Sequence, residues 1–250
     1  MISNELKQFI QENKNLINEN TKESWEEVYN KLYNSTLRGE FTDTLLTADI
    51  DPAKNLSYIP RDYLRESKIT FYKIPDGVTS IGGCAFYYCD SLTEIVIPNS
   101  VTTINSSAFY GCDSLTSIKI PNSVTSIGNN TFTLCKSLTS VVIPDSVTLM
   151  DEFTFRYCYS LTKIVIPDSV TEIGYGVFSS CYDLTNIVIP NSVTIIGDEV
   201  FYRCKNLKEI QFKGTKKEAM QLGIGNKSRK RWRAGSLIEK IICNDGIIEL

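Results

Sequence analysis

From about Ile69 to Phe212 the chain alternates apolar and polar side chains on a fixed beat of 23 residues. One copy reads SLTEIVIPNSVTTINSSAFYGCD, starting at Ser91. In its first segment Leu92, Ile95 and Ile97 have the spacing that points inward, while Glu94 and Val96 alternate outward, as in an extended strand. Pro98 has no amide to donate, so it ends the strand and opens a turn with Asn99 and Ser100. A second extended segment, VTTI, turns Val101 and Ile104 inward and leaves the β-branched Thr102 and Thr103 outside. Gly or Asn follows in most copies (Gly82, Asn105, Gly128, Gly174, Gly197; Asp151 once), which reads as a corner with left-handed backbone. The Ala108–Cys112 segment predicts a helical or 3-10 turn closing a third side.

The repetition sets the architecture. Prolines stand at Pro75, Pro98, Pro121, Pro144, Pro167 and Pro190, and phenylalanines at Phe86, Phe109, Phe132, Phe155, Phe178 and Phe201. Cysteines follow at Cys89, Cys112, Cys135, Cys158, Cys181 and Cys204, and every step in each series is 23 residues. Such a unit is too small to bury its own apolar face. Stacked neighbours must share one interior, which is the logic of a leucine-rich-repeat solenoid. The expected fold is an α/β solenoid of 23-residue leucine-rich repeats with a parallel sheet, a helical N-terminal cap, and a C-terminal cap of a helix plus a β-hairpin. The expected boundaries are 1–55 for the N-terminal cap, 56–212 for the solenoid and 213–250 for the C-terminal cap.

The flanks carry a different pattern. Leu6, Phe9, Ile10 and Ile17 lie on roughly one helical face. Trp25, Val28, Tyr29, Leu32 and Tyr33 follow with helical spacing, with Asn20 and Glu23 as the capping pair and Gly39 as the stop. A third, short helix is expected around Asp43–Asp49. This helical unit reads as a cover for the first coil or as a separate partner-binding module. After the last repeat, Thr215 and Glu218 form a capping box for a helix running to Gly223, and LIEKIICNDGIIEL reads as a hairpin turning at Asp245–Gly246.

Composition changes this picture in three places. There is no histidine, which removes Ser-His and Cys-His nucleophiles and imidazole metal ligands. Six of the eight cysteines obey the repeat and so read as small core side chains stacked in a column. Disulfides are open to them only in an oxidising setting, and a straight column does not offer zinc a tetrahedron. Cys84 and Cys243 stand outside the column without a neighbouring base. Charge is uneven. Residues 205–240 hold eleven Lys and Arg against Glu209, Glu218 and Glu239, a local +8, leaving −11 for the remainder of a chain with formal charge −3. The N-terminal stretch lacks the apolar core of a signal peptide, and no apolar run reaches the roughly 20 residues that span a membrane, so a cytoplasmic setting is expected, with surface or virion association as the alternative.

The repeat consensus CxxLxxIxIPxSVTxIGxxAFxxC resembles the BspA-like, or Treponema-type, leucine-rich repeat, and the tail resembles the terminal unit found after such arrays. The resemblance covers about 145 of the 250 residues. It implies a surface or secreted protein that binds other proteins or host matrix. The absence of a signal peptide and the N-terminal helices depart from that pattern.

No carboxylate pair is held on one face, and the segment Gly223–Ser228 does not sit between a strand and a helix of a βαβ unit as a phosphate loop would, so neither enzymatic chemistry nor a cofactor is expected. The candidate protein-binding surface is the outward strand positions: Glu94, Val96, Ser117, Lys119, Ser140, Val142, Lys163, Val165, Asn186, Val188, Glu209 and Gln211. Four valines in one outward column make an apolar stripe, against the simpler reading of β-formers on a wet sheet. A second surface gathers Tyr87, Tyr88, Tyr110, Tyr157, Tyr159, Tyr182 and Tyr202 near the turns. The basic run gives a candidate contact for an anion or acidic partner at Lys227, Arg229, Lys230, Arg231, Trp232 and Arg233, with Trp232 free to stack on a base if the partner were nucleic acid, which is not expected. The function expected is a non-enzymatic module that binds another protein. The alternatives are a structural component of a larger particle, assembled by self-association of basic and acidic ends, and an adhesin.

Overall fold

A computed structural model describes residues 4–19, 21–31, 52–226 and 231–250. Each coil has three sides, and each side stacks on the same side of the next coil. One side carries the two-residue strands β1 (Tyr58–Ile59), β3 (Ser80–Ile81), β5 (Thr103–Ile104), β7 (Ser126–Ile127), β9 (Leu149–Met150), β11 (Glu172–Ile173) and β13 (Ile195–Ile196). The main side carries β2 (Phe71–Lys73), β4 (Glu94–Val96), β6 (Ser117–Lys119), β8 (Ser140–Val142), β10 (Lys163–Val165), β12 (Asn186–Ile189) and β14 (Glu209–Phe212). Neighbours pair in parallel at a step of one repeat, for example Lys163 with Ser140 and with Asn186, except that the ladders break between β4 and β6 and between β7 and β9. The main side continues past the repeats: β15 (Lys240–Cys243) adds to β14 in parallel, and β16 (Gly246–Glu249) returns antiparallel beside β15.

The third side is not a helix. It is a turn in which alternate amides look in opposite directions. Phe86 donates to Ala108 of the next coil, Tyr87 back to Cys84 in its own turn, and Tyr88 to Tyr110 of the next coil. The same bonds recur from Phe109 to Thr131, Phe132 to Thr154, Phe155 to Val177 and Phe178 to Val200. This alternation needs two left-handed residues per coil: Cys84, Ser107, Asn130, Phe153, Gly176 and Glu199 in one series, and Tyr88, Gly111, Leu134, Tyr157, Ser180 and Arg203 in the other. Ten of these twelve are not glycine, and each such residue costs on the order of 1–2 kcal/mol. The intercoil hydrogen bonds hold them there. Gly111 and Gly176 also admit aromatic rings: a Cβ at Gly111 would stand 2.6 Å from the Tyr88 ring, and one at Gly176 2.7 Å from the Phe153 ring.

The corner glycines serve another purpose than the one expected. Gly82, Gly128, Gly174 and Gly197 do not have left-handed backbone. They are needed because the preceding coil passes too close: a Cβ at Gly82 would lie 2.5 Å from the Ile59 carbonyl oxygen, and one at Gly128 2.6 Å from the Ser106 amide. Asn105 occupies the same corner and donates its side-chain amide to Ile81 O at 2.7 Å.

Inside, like stacks on like. The rings of Phe86, Phe109, Phe132, Phe155, Phe178 and Phe201 lie 5.2, 5.6, 5.4, 5.9 and 5.7 Å apart, each pair within 10° of parallel. From Cys112 to Cys204 each column thiol donates to the carbonyl of a phenylalanine in the preceding coil, as Cys135 Sγ does to Phe109 O at 3.1 Å and Cys158 Sγ to Phe132 O at 3.1 Å, while Cys89 Sγ donates to Leu64 O. Hydroxyls copy the device outside: Thr102 Oγ1 donates to Thr79 O at 3.2 Å and Ser169 Oγ to Val147 O at 2.7 Å.

Three helices precede the coils: α1 (Asn4–Glu12), α2 (Lys14–Glu19) and α3 (Lys22–Lys31). Leu6, Trp25 and Val28 are buried in the same cluster as the repeat core. The cap of α3 is Thr21, whose hydroxyl accepts from Ser24 N at 3.1 Å while Ser24 Oγ accepts from Thr21 N at 3.0 Å. The helix therefore starts one residue later than the Asn20–Glu23 pairing implies. Asn20, Leu32, Tyr33, Gly39 and the helix expected around Asp43–Asp49 lie outside the described residues. At the other end, α4 (Lys216–Leu222) has the Thr215/Glu218 capping box and stops at Gly223 in left-handed conformation, as the sequence predicts. The hairpin turn is Asn244–Asp245, one residue earlier than expected, because Cys243 pairs with Gly246.

The thiol column gives stability a one-sided pH dependence. Burial holds Cys112, Cys158 and Cys181 well above the ordinary thiol range and pushes Cys204 up to about 12. Unfolded thiols ionise near about 8.5, so their contribution is complete below that pH and is lost as pH rises toward the folded values. Urea midpoints followed by circular dichroism should be level from about pH 6 to 8 and fall steadily above about pH 9. A midpoint at about pH 10 equal to that at neutrality contradicts this reading.

Candidate interaction surfaces

The outward positions of the main sheet form two columns in register. Val142 pairs with Lys119 on one side and Val165 on the other, Val165 with Val188, and Val188 with Gln211. The alternation that buries Ile164 and Ile187 forces these side chains out. Val142 is 69% exposed, Val165 58% and Val96 38%, while Val188 is half-buried. The companion column runs Ser117, Ser140, Lys163 and Asn186 in register and resumes with Glu209, Lys240 and Glu249. Of the predicted positions, Glu94 and Val96 stand apart on the β2–β4 pair, beside Phe71 and Lys73, and the other ten lie on one seven-stranded sheet.

The apolar column does not stop where the repeats stop. Gln211 pairs with Ile242, and Ile242 with Ile247, so two isoleucines of the C-terminal hairpin extend it. Their alternation within KIICNDGIIE is the signal that could have placed them, but they fall outside the 23-residue beat.

The tyrosines are less available than the sequence implies. Tyr87 stacks on Tyr110 at 4.8 Å, Tyr88 meets Tyr87 edge-on at 4.7 Å, and Arg65 covers Tyr87 at 4.5 Å. Tyr159 stacks on Tyr182 at 4.9 Å, with Lys205 over Tyr182 at 4.8 Å. Arg156 lies 4.5 Å over Tyr157 and donates to its hydroxyl at 2.7 Å. Asp90, Asp113 and Lys136 stand in the column of Tyr159 and Tyr182 and are closed by ion pairs, Lys68 with Asp90 at 2.9 Å and Lys136 with Asp113 at 2.6 Å. All but the Tyr88–Tyr87 and Arg156–Tyr157 contacts join successive coils, so this edge is a zipper between repeats. Burial, the largest influence, raises the phenols of Tyr87, Tyr110 and Tyr159 above their usual range.

The basic run corrects the sequence reading most. Trp232 is fully buried and meets Phe201 edge-on at 6.0 Å. It cannot stack on a base. The carbonyls of Arg231, Trp232 and Ala234 accept the amides of Glu199, Phe201 and Arg203 at 3.1, 2.7 and 3.0 Å. These amides would otherwise reach for a next coil, so 231–234 is the layer that satisfies them. Arg233 donates to Ile238 O at 2.6 Å, and burial lowers its guanidinium pKa. Arg231 points to solvent, 3.7 Å from Asp198. Lys227, Arg229 and Lys230 lie outside the described residues.

Among the described residues no group of three or more His, Cys, Asp or Glu side chains stands together to hold a metal ion. Cys84 and Cys243 are buried and free, and burial raises both thiols.

Comparison with known proteins places this geometry. The family model for the BspA type leucine-rich-repeat region matches in 6 copies, over residues 57–184 and 171–222. The chain belongs to the BspA-type leucine-rich-repeat family. Members of this family generally act as protein-interaction or surface-protein modules. The chain is similar to a leucine-rich repeat protein from Eubacterium ventriosum, with 25% identity and a TM-score of 0.58 over 74% of this chain and 49% of that one. It thus spans about half the length of that relative. It is also similar to the Treponema pallidum leucine-rich repeat protein, 34% identical over 61% of each chain with a TM-score of 0.47. A leucine-rich repeat protein from Bacteroides ovatus is 26% identical over 75% of this chain and 59% of that one, with a TM-score of 0.47. No curated protein matches the sequence.

If 231–234 is the closing layer of this BspA-type solenoid, Trp232→Ala should destabilise the fold by about 3–5 kcal/mol in urea titrations, as for other buried aromatics. Arg231→Ala should stay within about 0.5 kcal/mol of the parent. Equal, small losses for both would place Trp232 outside the packed core.

Proposed function

We propose that this BspA-type solenoid is a non-enzymatic module that binds a partner protein on the outward face of its main sheet. The observation that carries the reading is the in-register run Val142, Val165, Val188, continued after Gln211 by Ile242 and Ile247. Exposed valines add nothing to the interior, which Ile164 and Ile187 already fill from the opposite face. An aligned apolar strip rimmed by Lys119, Lys163, Asn186 and Gln211 has the make-up of a protein-binding patch, apolar at its centre and polar at its edge. The tyrosine edge serves the solenoid's cohesion, and the basic run serves its closure, so neither competes as the principal surface. The family's usual role in protein interaction supports the same reading.

Val142→Thr with Val165→Thr keeps β-branching while adding a hydroxyl, so stability should stay within about 0.5 kcal/mol of the parent per site. A photo-crosslinking residue at position 165 should trap in native extract a protein that the double variant no longer retains. If the same proteins are retained by parent and variant, the sheet face is not the binding site.

A further inference from the structure

Among the described residues β16 is the last strand of the main sheet. Glu239 O accepts from Leu250 N at 2.7 Å, and this bond fixes the parity of the β15–β16 ladder. Gly246 and Ile248 turn their backbone groups toward β15, while Ile247 and Glu249 turn theirs away. Among the described residues no strand pairs with that side of β16. Ile247 is 51% exposed and Glu249 is exposed.

The columns state what a further strand must carry. In one, Glu209 faces Lys240 and Lys240 faces Glu249, with Lys240 Nζ 2.9 Å from Glu209. Among the described residues this alternation of charge places no cation opposite Glu249 on the outer side. In the other, Ile242 faces Ile247, so the next position is apolar. Asp245 is already committed, accepting from Lys216 N at 2.7 Å at the start of α4.

We propose that the β16 edge receives an extended segment of another protein, added antiparallel, with a Lys or Arg opposite Glu249 and an aliphatic or aromatic side chain opposite Ile247. In that segment the cation precedes the apolar residue by two positions. Backbone bonds to Ile247 and Glu249 supply affinity, and the two side-chain positions supply selectivity. A second copy of this chain does not fit. A two-fold centred on Ile247 sets Glu249 against Asp245 of the other copy, and one centred on Ile248 sets it against Ile247; neither offers a cation. Ile247 also ends the apolar column that holds Val142, Val165 and Val188, but the β16 edge uses backbone groups that the sheet face does not, so Val165→Thr and Ile247→Pro tell the two sites apart.

The test uses the full chain and two synthetic threonine-rich decapeptides, one with Lys-Thr-Val at its centre and one with Glu-Thr-Val. In amide NMR spectra the lysine peptide should shift Ile247 and Glu249 saturably and slow their hydrogen exchange, and the glutamate peptide should bind at least tenfold more weakly. Glu249→Lys should reverse that order. Ile247→Pro removes an outward amide but no β15–β16 bond, so the fold should persist while binding is lost. Val165→Thr should leave peptide binding unchanged. Equal binding of both peptides, or no shift at these two amides, overturns the proposal. So does a concentration-dependent dimer that protects the same amides without peptide.

Discussion

Each side chain of a coil rests on its own counterpart one repeat away, and the structure depends on that coincidence. Phe109 lies between Phe86 and Phe132, within 10° of parallel to each. The thiols of Cys112 and Cys135 reach back to the carbonyls of Phe86 and Phe109. Three backbone ladders carry the same step around the coil. A ring, a thiol and an amide ladder can all stay in phase only if the chain between them has constant length. The constancy of the Phe and Cys columns is thus a packing condition, since a change of size there would disturb the levels on either side, whereas the buried column Ala85, Ala108, Thr131, Thr154, Val177 and Val200 changes size in steps along the stack.

The outward columns are under no such condition. Their side chains meet solvent, and the sequence there varies in charge and polarity from coil to coil. Ser117, Ser140, Lys163 and Asn186 occupy one column, and Lys119, Val142, Val165 and Val188 the next. A rigid interior carrying a variable exterior suits recognition, because the scaffold pays little to change what it presents. The two ends of the stack differ from the middle for the same reason. A terminal coil has amides, rings and sheet edges with no copy to meet them. Trp232 and the carbonyls around it meet the last coil's turn, and the β15–β16 hairpin covers the last main-sheet strand.

The 23-residue spacing of Pro, Phe and Cys was enough to read the solenoid, its parallel sheet and the inward and outward positions of each strand. What escaped has physical causes. The left-handed residues escaped because intercoil bonds impose that conformation on Phe153, Tyr157 and Glu199, where composition gives no sign of it. The corner glycines were visible, but the close approach of a neighbouring backbone explains them, and only a three-dimensional stack shows that. Trp232 sits within a string of cations that reads as solvated, although its carbonyl and ring complete the core. Ile242 and Ile247 lie off the beat, so their alignment with the valine column appears only through strand register. The candidate surface was therefore half readable: its central strands follow from alternation, its continuation into the cap does not.

Deleting one whole repeat tests this dependence on phase most directly. Removal of residues 116–138 takes out one 23-residue period and joins Leu115 to Thr139, as Leu138 was joined before. The shortened chain should show the parent's circular dichroism spectrum in shape and a single cooperative thermal transition. Removing one residue more or fewer should abolish that transition. Equal folding of all three chains, or loss of folding on removal of the whole period, would contradict a core built from columns held in register.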